Sequence, residues 1–176
     1  MKRTLLSFLA LFLFSTSLEV KANVYSTDPE KFISEIIDEA KVILSSNSSQ
    51  EIKAKKLSDV AKKTVDIKGL AYYTIGKKRK EITPEQLKKY EGLFEKYFLK
   101  SFTSRLTDYS DPKINVVSAE TVNEKYTIVK TILLKTSKKP EVKIDWRIYT
   151  KDPNKPLIRD LIVEGLSFSR STGIQP

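Results

Sequence analysis

The sequence predicts an α+β fold in which N-terminal helices pack on a C-terminal four-stranded antiparallel sheet. Three observations carry this. Apolar residues recur at helical spacing as far as residue 109, and those after Asp111-Pro112 fall in β-branched or aromatic runs. The helices precede the strands, with no alternation of the β-α-β kind.

Asp28-Pro29 pairs an N-cap with a proline in the first helical turn, and Phe32, Ile33, Ile36, Ile37, Ala40, Ile43 and Leu44 share one face. The first helix therefore runs to Ser45-Ser46-Asn47. Ser48-x-x-Glu51 is a capping box for a second, lysine-rich helix whose weaker stripe is Ile52, Leu57, Val60, Ala61 and Val65. Asp66 caps a short third helix in which Leu70, Ala71, Tyr72, Tyr73 and Ile75 run up to Gly76. Residues 77–80 (KKRK) are the densest basic run, most simply a solvated loop.

Thr83-Pro84-Glu85-Gln86 supplies a cap, a first-turn proline and a capping-box glutamine for the longest helix. Leu87, Tyr90, Leu93, Phe94, Tyr97, Phe98, Phe102, Leu106 and Tyr109 hold one face for about six turns, a rod of about 35 Å. Such a stripe is either core packing or a pocket wall, because tyrosines place polar tips at the rim of an apolar surface. Strands are expected over residues 114–117, 126–134, 142–149 and 157–168. Val142, Ile144, Trp146 and Ile148 alternate with Lys143, Asp145, Arg147 and Tyr149, giving the sheet one apolar face for the helices to cover.

Ahead of this domain, Lys2 and Arg3 precede an apolar run over residues 5–14, and Val20 and Ala22 stand at signal-peptidase spacing. Residues 1–22 read as a signal peptide, and residues 23–176 as a single exported domain. No Cys follows Ala22, so the lipoprotein type of anchor is excluded.

The chain has 176 residues, 32 Lys+Arg against 22 Asp+Glu, no Cys and no His. That composition excludes thiol and imidazole enzymes, Cys/His zinc sites, disulfides and a Ser-His-Asp triad. Without Lys2, Arg3, Lys21 and Glu19, 29 basic and 21 acidic residues remain, about +8. An exported basic protein meets anionic membrane surfaces and acidic protein partners rather than nucleic acid. Lysines outnumber arginines 26 to six, which favours a diffuse field over a specific phosphate site.

No cofactor or metal motif is present, and the candidate general bases reduce to carboxylates: Asp145 beside Trp146, and Asp160 and Glu164 around residues 161–163. Each is equally a solvated or salt-bridged side chain.

Residues 66–76 (DIKGLAYYTIG), residues 83–109 with their Thr-Pro-x-Gln start, Asp145-Trp146-Arg147 and residues 160–167 (DLIVEGLS) resemble the MlaC family. This is the periplasmic toluene-tolerance family of ABC-transporter auxiliary proteins, and the resemblance spans about residues 28–167. It implies a curved sheet with an apolar cavity beneath the helices, phospholipid as ligand, and no catalytic residue. The implied partners are an outer-membrane lipoprotein complex and an inner-membrane ABC transporter containing an MCE-domain ring, with the carrier as a monomer that maintains outer-membrane asymmetry. Family members continue past the Glu-Gly-x-Ser segment into a helical tail. This chain reaches Pro176 after a polar stretch over residues 169–173, so a truncated C-terminus is expected.

Leu70, Tyr73, Leu93, Tyr97, Trp146, Ile148 and Ile162, at the centres of the apolar stripes, are the expected lipid-binding walls. The competing functions are a carrier of another hydrophobic ligand, such as a hopanoid-like lipid or a solvent, a cone-like α+β enzyme with a carboxylate base, and a protein-binding adaptor with a filled core.

Overall fold

A computed structural model of the protein describes residues 25–137 and 140–167. The predicted signal peptide, Lys138, Lys139 and the polar C-terminal stretch lie outside the described residues. Four helices, α1 (Pro29–Ser45), α2 (Gln50–Thr64), α3 (Ile67–Ile75) and α4 (Pro84–Leu106), precede five strands. These are β1 (Ile114–Asn123), β2 (Tyr126–Leu133), β3 (Val142–Tyr149), β4 (Leu157–Val163) and β5 (Leu166–Ser167). The sheet is an antiparallel meander in chain order.

Each helix start follows from a side chain that accepts an otherwise unpaired backbone N–H, a contribution of about 1 kcal/mol apiece. Asp28 accepts from Lys31, Asp66 from Gly69, and Thr83 from Gln86, whose own side chain returns the bond to the Thr83 N–H. The cap of α2 is Ser49, which accepts from Ile52, one residue later than the Ser48 box predicted. A Cβ on Gly69 would stand 2.3 Å from the Asp66 carboxylate that caps the turn, so a larger residue there would displace the cap. Residues 77–80 are not an irregular loop. They form a single 3-10 turn, Gly76–Lys80, with all four basic side chains exposed.

Two strands differ from expectation. β1 continues six residues beyond Val117 as an exposed edge, where polar residues are tolerated and the apolar signal fades; Glu120 pairs there with Lys130 on β2 at 3.2 Å. The fourth predicted strand breaks after Val163. Glu164 and Gly165 take φ of 50° and 79°, the left-handed pair of a two-residue hairpin turn, and the chain returns as β5. Glu164 steadies this strained position by accepting from the Lys143 N–H at 2.5 Å while donating its own N–H to the Lys143 carbonyl at 3.0 Å. The Glu-Gly of the DLIVEGLS segment is thus a corner of the sheet.

Register shifts at Val116/Ser118 and Thr121/Asn123 on β1, and opposite Arg147/Ile148 where β4 carries an extra residue, add local twist and bend the sheet. α1 lies directly on β1 and β2. Its Phe32, Ile33, Ile36 and Ile37 meet Val129, Ile148 and Ile158 in the main core, together with Leu57 and Val60 of α2. Each such burial contributes about 1.5–3 kcal/mol. α4 packs instead on α2 and α3. A second, smaller cluster of Ala61, Leu70, Phe98 and Leu99 joins these three helices.

Candidate functional site

Because α4 rests on its neighbouring helices, its C-terminal half and the sheet face each other across an apolar cavity of about 290 Å³. One wall is the helices: Ile36, Ile37 and Ala40 of α1, Leu57, Val60 and Ala61 of α2, Leu70 of α3, and Phe98, Phe102 and Leu106 of α4. The other is the apolar face of the sheet: Ile114, Leu133, Val142, Ile144, Trp146, Ile158, Leu161 and Val163. Ser101, Arg105 and Tyr109 bring polar groups to the end where α4 finishes. The α4 wall is ordered by stacked rings, Phe94 on Phe98 at 6.3 Å and Phe98 on Phe102 at 5.7 Å between centroids.

The buried polar groups near this cavity are paired within the protein. Trp146 Nε1–H donates to Thr131 Oγ1 at 2.9 Å, and that hydroxyl donates to the Ile144 carbonyl at 2.9 Å. Thr64 donates to the Val60 carbonyl at 2.9 Å. Asp160 is buried; its carboxylate accepts from the Leu161 N–H at 2.9 Å and the Ser167 hydroxyl at 2.5 Å, and faces Arg147 at 3.5 Å. Among the described residues no buried side-chain nitrogen or oxygen lacks a partner. Away from Ser101, Arg105 and Tyr109 at the end of α4, the lining therefore offers apolar surface and no unpaired buried polar group.

The predicted site residues divide. Leu70 and Trp146 line the cavity. Ile148 is fully buried in the main core beneath it, on the same face of β3 but among α1 side chains. Ile162 sits opposite Asp145 in the β3–β4 register, on the face of the sheet turned away from Trp146. Leu93 and Tyr97 are 57% and 64% exposed on the outer face of α4. The α4 stripe is wider than one face, and its centre in sequence is not its centre in the packing. Missed were Phe98, Phe102, Leu106, Ile144, Leu161 and Val163; phenylalanine at spacing of four, with no phenol to solvate, was the available signal on α4.

Tyr73 is 45% exposed and lines a second concavity, about 580 Å³, on the opposite face of the sheet. Its floor is Tyr126 and Ile128 of β2, Arg147 of β3 and Arg159 of β4; its sides are Gly69, Leu70, Tyr72 and Tyr73 of α3, Arg79 of the 3-10 turn, and Val122 and Asn123 at the hairpin tip. Arg159 donates to Asp66 at 2.7 Å and to the Tyr126 hydroxyl at 3.3 Å and stacks on Tyr149 at 3.7 Å. Burial lowers the affinity of its guanidinium for a proton, but the bonds to Tyr126 and Asp66 outweigh it and hold the group charged. Of the candidate bases, Asp145 lies on this outer face and Glu164 is exposed at the hairpin corner, so neither reaches the apolar cavity.

The model of the MlaC protein family matches residues 34–172. The chain belongs to the MlaC family. A solved relative in fold is the phospholipid-binding protein from Ralstonia solanacearum, determined in complex with a phospholipid. It is 16% identical, with 86% of this chain and 83% of that chain covered at a TM-score of 0.68. At that identity the likeness carries the fold. A search of curated proteins returns no match. No helix among the described residues is long and apolar enough to cross a membrane.

Proposed function

We propose that this MlaC-family protein is a periplasmic phospholipid carrier. It takes the acyl chains into the cavity beneath α4 and moves the lipid between an outer-membrane lipoprotein complex and an inner-membrane ABC transporter with an MCE-domain ring, which maintains outer-membrane lipid asymmetry. The observation that carries the reading is the chamber itself: apolar on both walls, with every buried polar side chain among the described residues already paired. Each buried CH₂ contributes about 0.8 kcal/mol, so retention needs apolar depth and no catalytic group. The cavity stands at the lower end of the about 300–1,000 Å³ typical of ligand pockets.

Supporting the location are the export signal over residues 1–22 and the family match. Residues 77–80, exposed on their turn, steer the basic monomer toward acidic surfaces of its partners. The lipid walls are Leu70, Phe98, Phe102, Ile144, Trp146 and Leu161. Organic extraction of the purified exported protein followed by mass spectrometry recovers phospholipid in near-stoichiometric amount. A hopanoid-like lipid or a solvent in its place would move the ligand class, and an empty extract would return the chamber to a loosely filled core.

A further inference from the structure

The excess of lysine over arginine in the sequence argues against a specific phosphate site, yet the fold gathers the few arginines it has. Four of the six lie among the described residues, Arg79, Arg105, Arg147 and Arg159. Three of those four, contributed by the 3-10 turn, β3 and β4, line the one concavity of about 580 Å³ on the outer face of the sheet, and no carboxylate-bearing residue lines it with them. Elements so far apart in sequence have no local reason to place guanidinium groups in one groove. Arginine's planar fork, unlike a lysine ammonium, matches phosphate oxygens two at a time.

The charges in this groove nearly balance. Arg159 is held by Asp66 at 2.7 Å and Arg147 by Asp160 at 3.5 Å. Those carboxylates orient the two guanidiniums and cancel one charge each. Arg79 has no carboxylate partner among the described residues; its guanidinium stands 4.9 Å from the Tyr72 ring centroid. One positive charge is left over in a concave, tyrosine-walled site, which is the charge that a phosphodiester, with its single negative charge, would neutralise. Among the described residues, Leu70 is the one that lines both this groove and the apolar cavity.

We propose that the arginine groove binds a phosphodiester, the head-group phosphate of the lipid whose acyl chains lie in the cavity. The source of the phosphate rests on the phospholipid reading above; the groove does not. Delipidated protein is titrated by calorimetry with dihexanoylphosphatidylglycerol, with phosphate-free dihexanoylglycerol, and with glycerophosphoglycerol, which has the head group and no chains. Arg79→Gln weakens the phospholipid about tenfold and leaves dihexanoylglycerol unchanged. Lys78→Gln, next to it on the exposed turn and outside the groove, changes neither. Equal losses in the two variants would reduce the groove to part of a diffuse field and overturn the proposal, as would no loss in Arg79→Gln.

The third ligand separates the sources. If glycerophosphoglycerol binds as tightly as the phospholipid and loses the same tenfold in Arg79→Gln, the groove is a site for soluble phosphodiesters, and its link to the lipid is overturned. Should the unmutated protein bind neither lipid, the carrier reading fails while the glycerophosphoglycerol titration still reports on the groove.

Discussion

α1 and α4 both carry an apolar stripe at helical spacing, and the molecule uses them in different ways. α1 lies on the sheet and buries six side chains, among them Phe32 at 2% and Ile33 at 0% exposure. α4 is longer, yet only Phe98, Leu99 and Thr103 are buried. The difference is what stands beneath each helix. α1 has strands under it, whereas α4 is propped on α2 and α3 with the chamber under its C-terminal half. The props are specific: Lys62 of α2 to Glu95 at 3.6 Å, Lys68 of α3 to Glu91 at 3.4 Å, the Tyr72 hydroxyl to the Glu91 carboxylate, and Thr74 to the Tyr90 hydroxyl at 2.6 Å. An amphipathic pattern therefore says that a face avoids water, and leaves open whether protein or a ligand covers it.

The contrast breaks most visibly under truncation. Phe32→Ala opens a void in a closed core and lowers the unfolding free energy by about 3–5 kcal/mol. Phe102→Ala, half-buried and already bordering a void, loses only about 1–1.5 kcal/mol of transfer free energy. Urea unfolding of the two variants measures both. Comparable losses would mean that the chamber is packed as tightly as the core.

Filling is the sharper test. Ile148→Trp overpacks the core and costs about 1–3 kcal/mol. Ile144→Trp, four residues away on the same face of β3, occupies the chamber, costs little, and abolishes lipid recovery in the extract. Leu93→Trp, on the exposed side of α4, stays within about 0.5 kcal/mol and retains its lipid.

The smallest effect concerns the props. The hydrogen bond from Tyr72, with help from Lys68, holds the Glu91 carboxyl below its ordinary value of 4.5. A depressed carboxyl stabilises the fold above its unfolded pKa, and that contribution is lost as pH falls through the folded value. Acidification below 4.5 therefore loosens the α3–α4 pair, and Glu91→Gln flattens this part of the stability-pH curve. Denaturant midpoints at neutral and acid pH, compared between the two proteins, check it.

The order of helices and strands was legible because caps and periodicity are local. Asp28, Asp66 and Thr83 each announced a helix through a bond to a backbone N–H three residues away. The corner at Glu164-Gly165 was not, since apolar residues continue on both sides of it and only the backbone turns. The site was half legible. Trp146 and Leu70, which line the cavity, sit in strong local patterns, but which side of α4 faces inward is decided by α2 and α3, elements without a distinctive mark in the α4 sequence. The gathering of three arginines is tertiary: Arg79 of the 3-10 turn, Arg147 of β3 and Arg159 of β4 share no local pattern and meet only in the folded chain.

Trp146 is the chain's one tryptophan, and it stands in the chamber wall with its indole N–H already engaged by Thr131. The protein thus carries an optical gauge at its candidate binding site. A single emitter whose surroundings change from water to hydrocarbon shifts to shorter wavelength as a whole, with no background from a second indole. Loading, unloading and exchange of an unlabelled ligand can then be timed from the colour of the protein's own light.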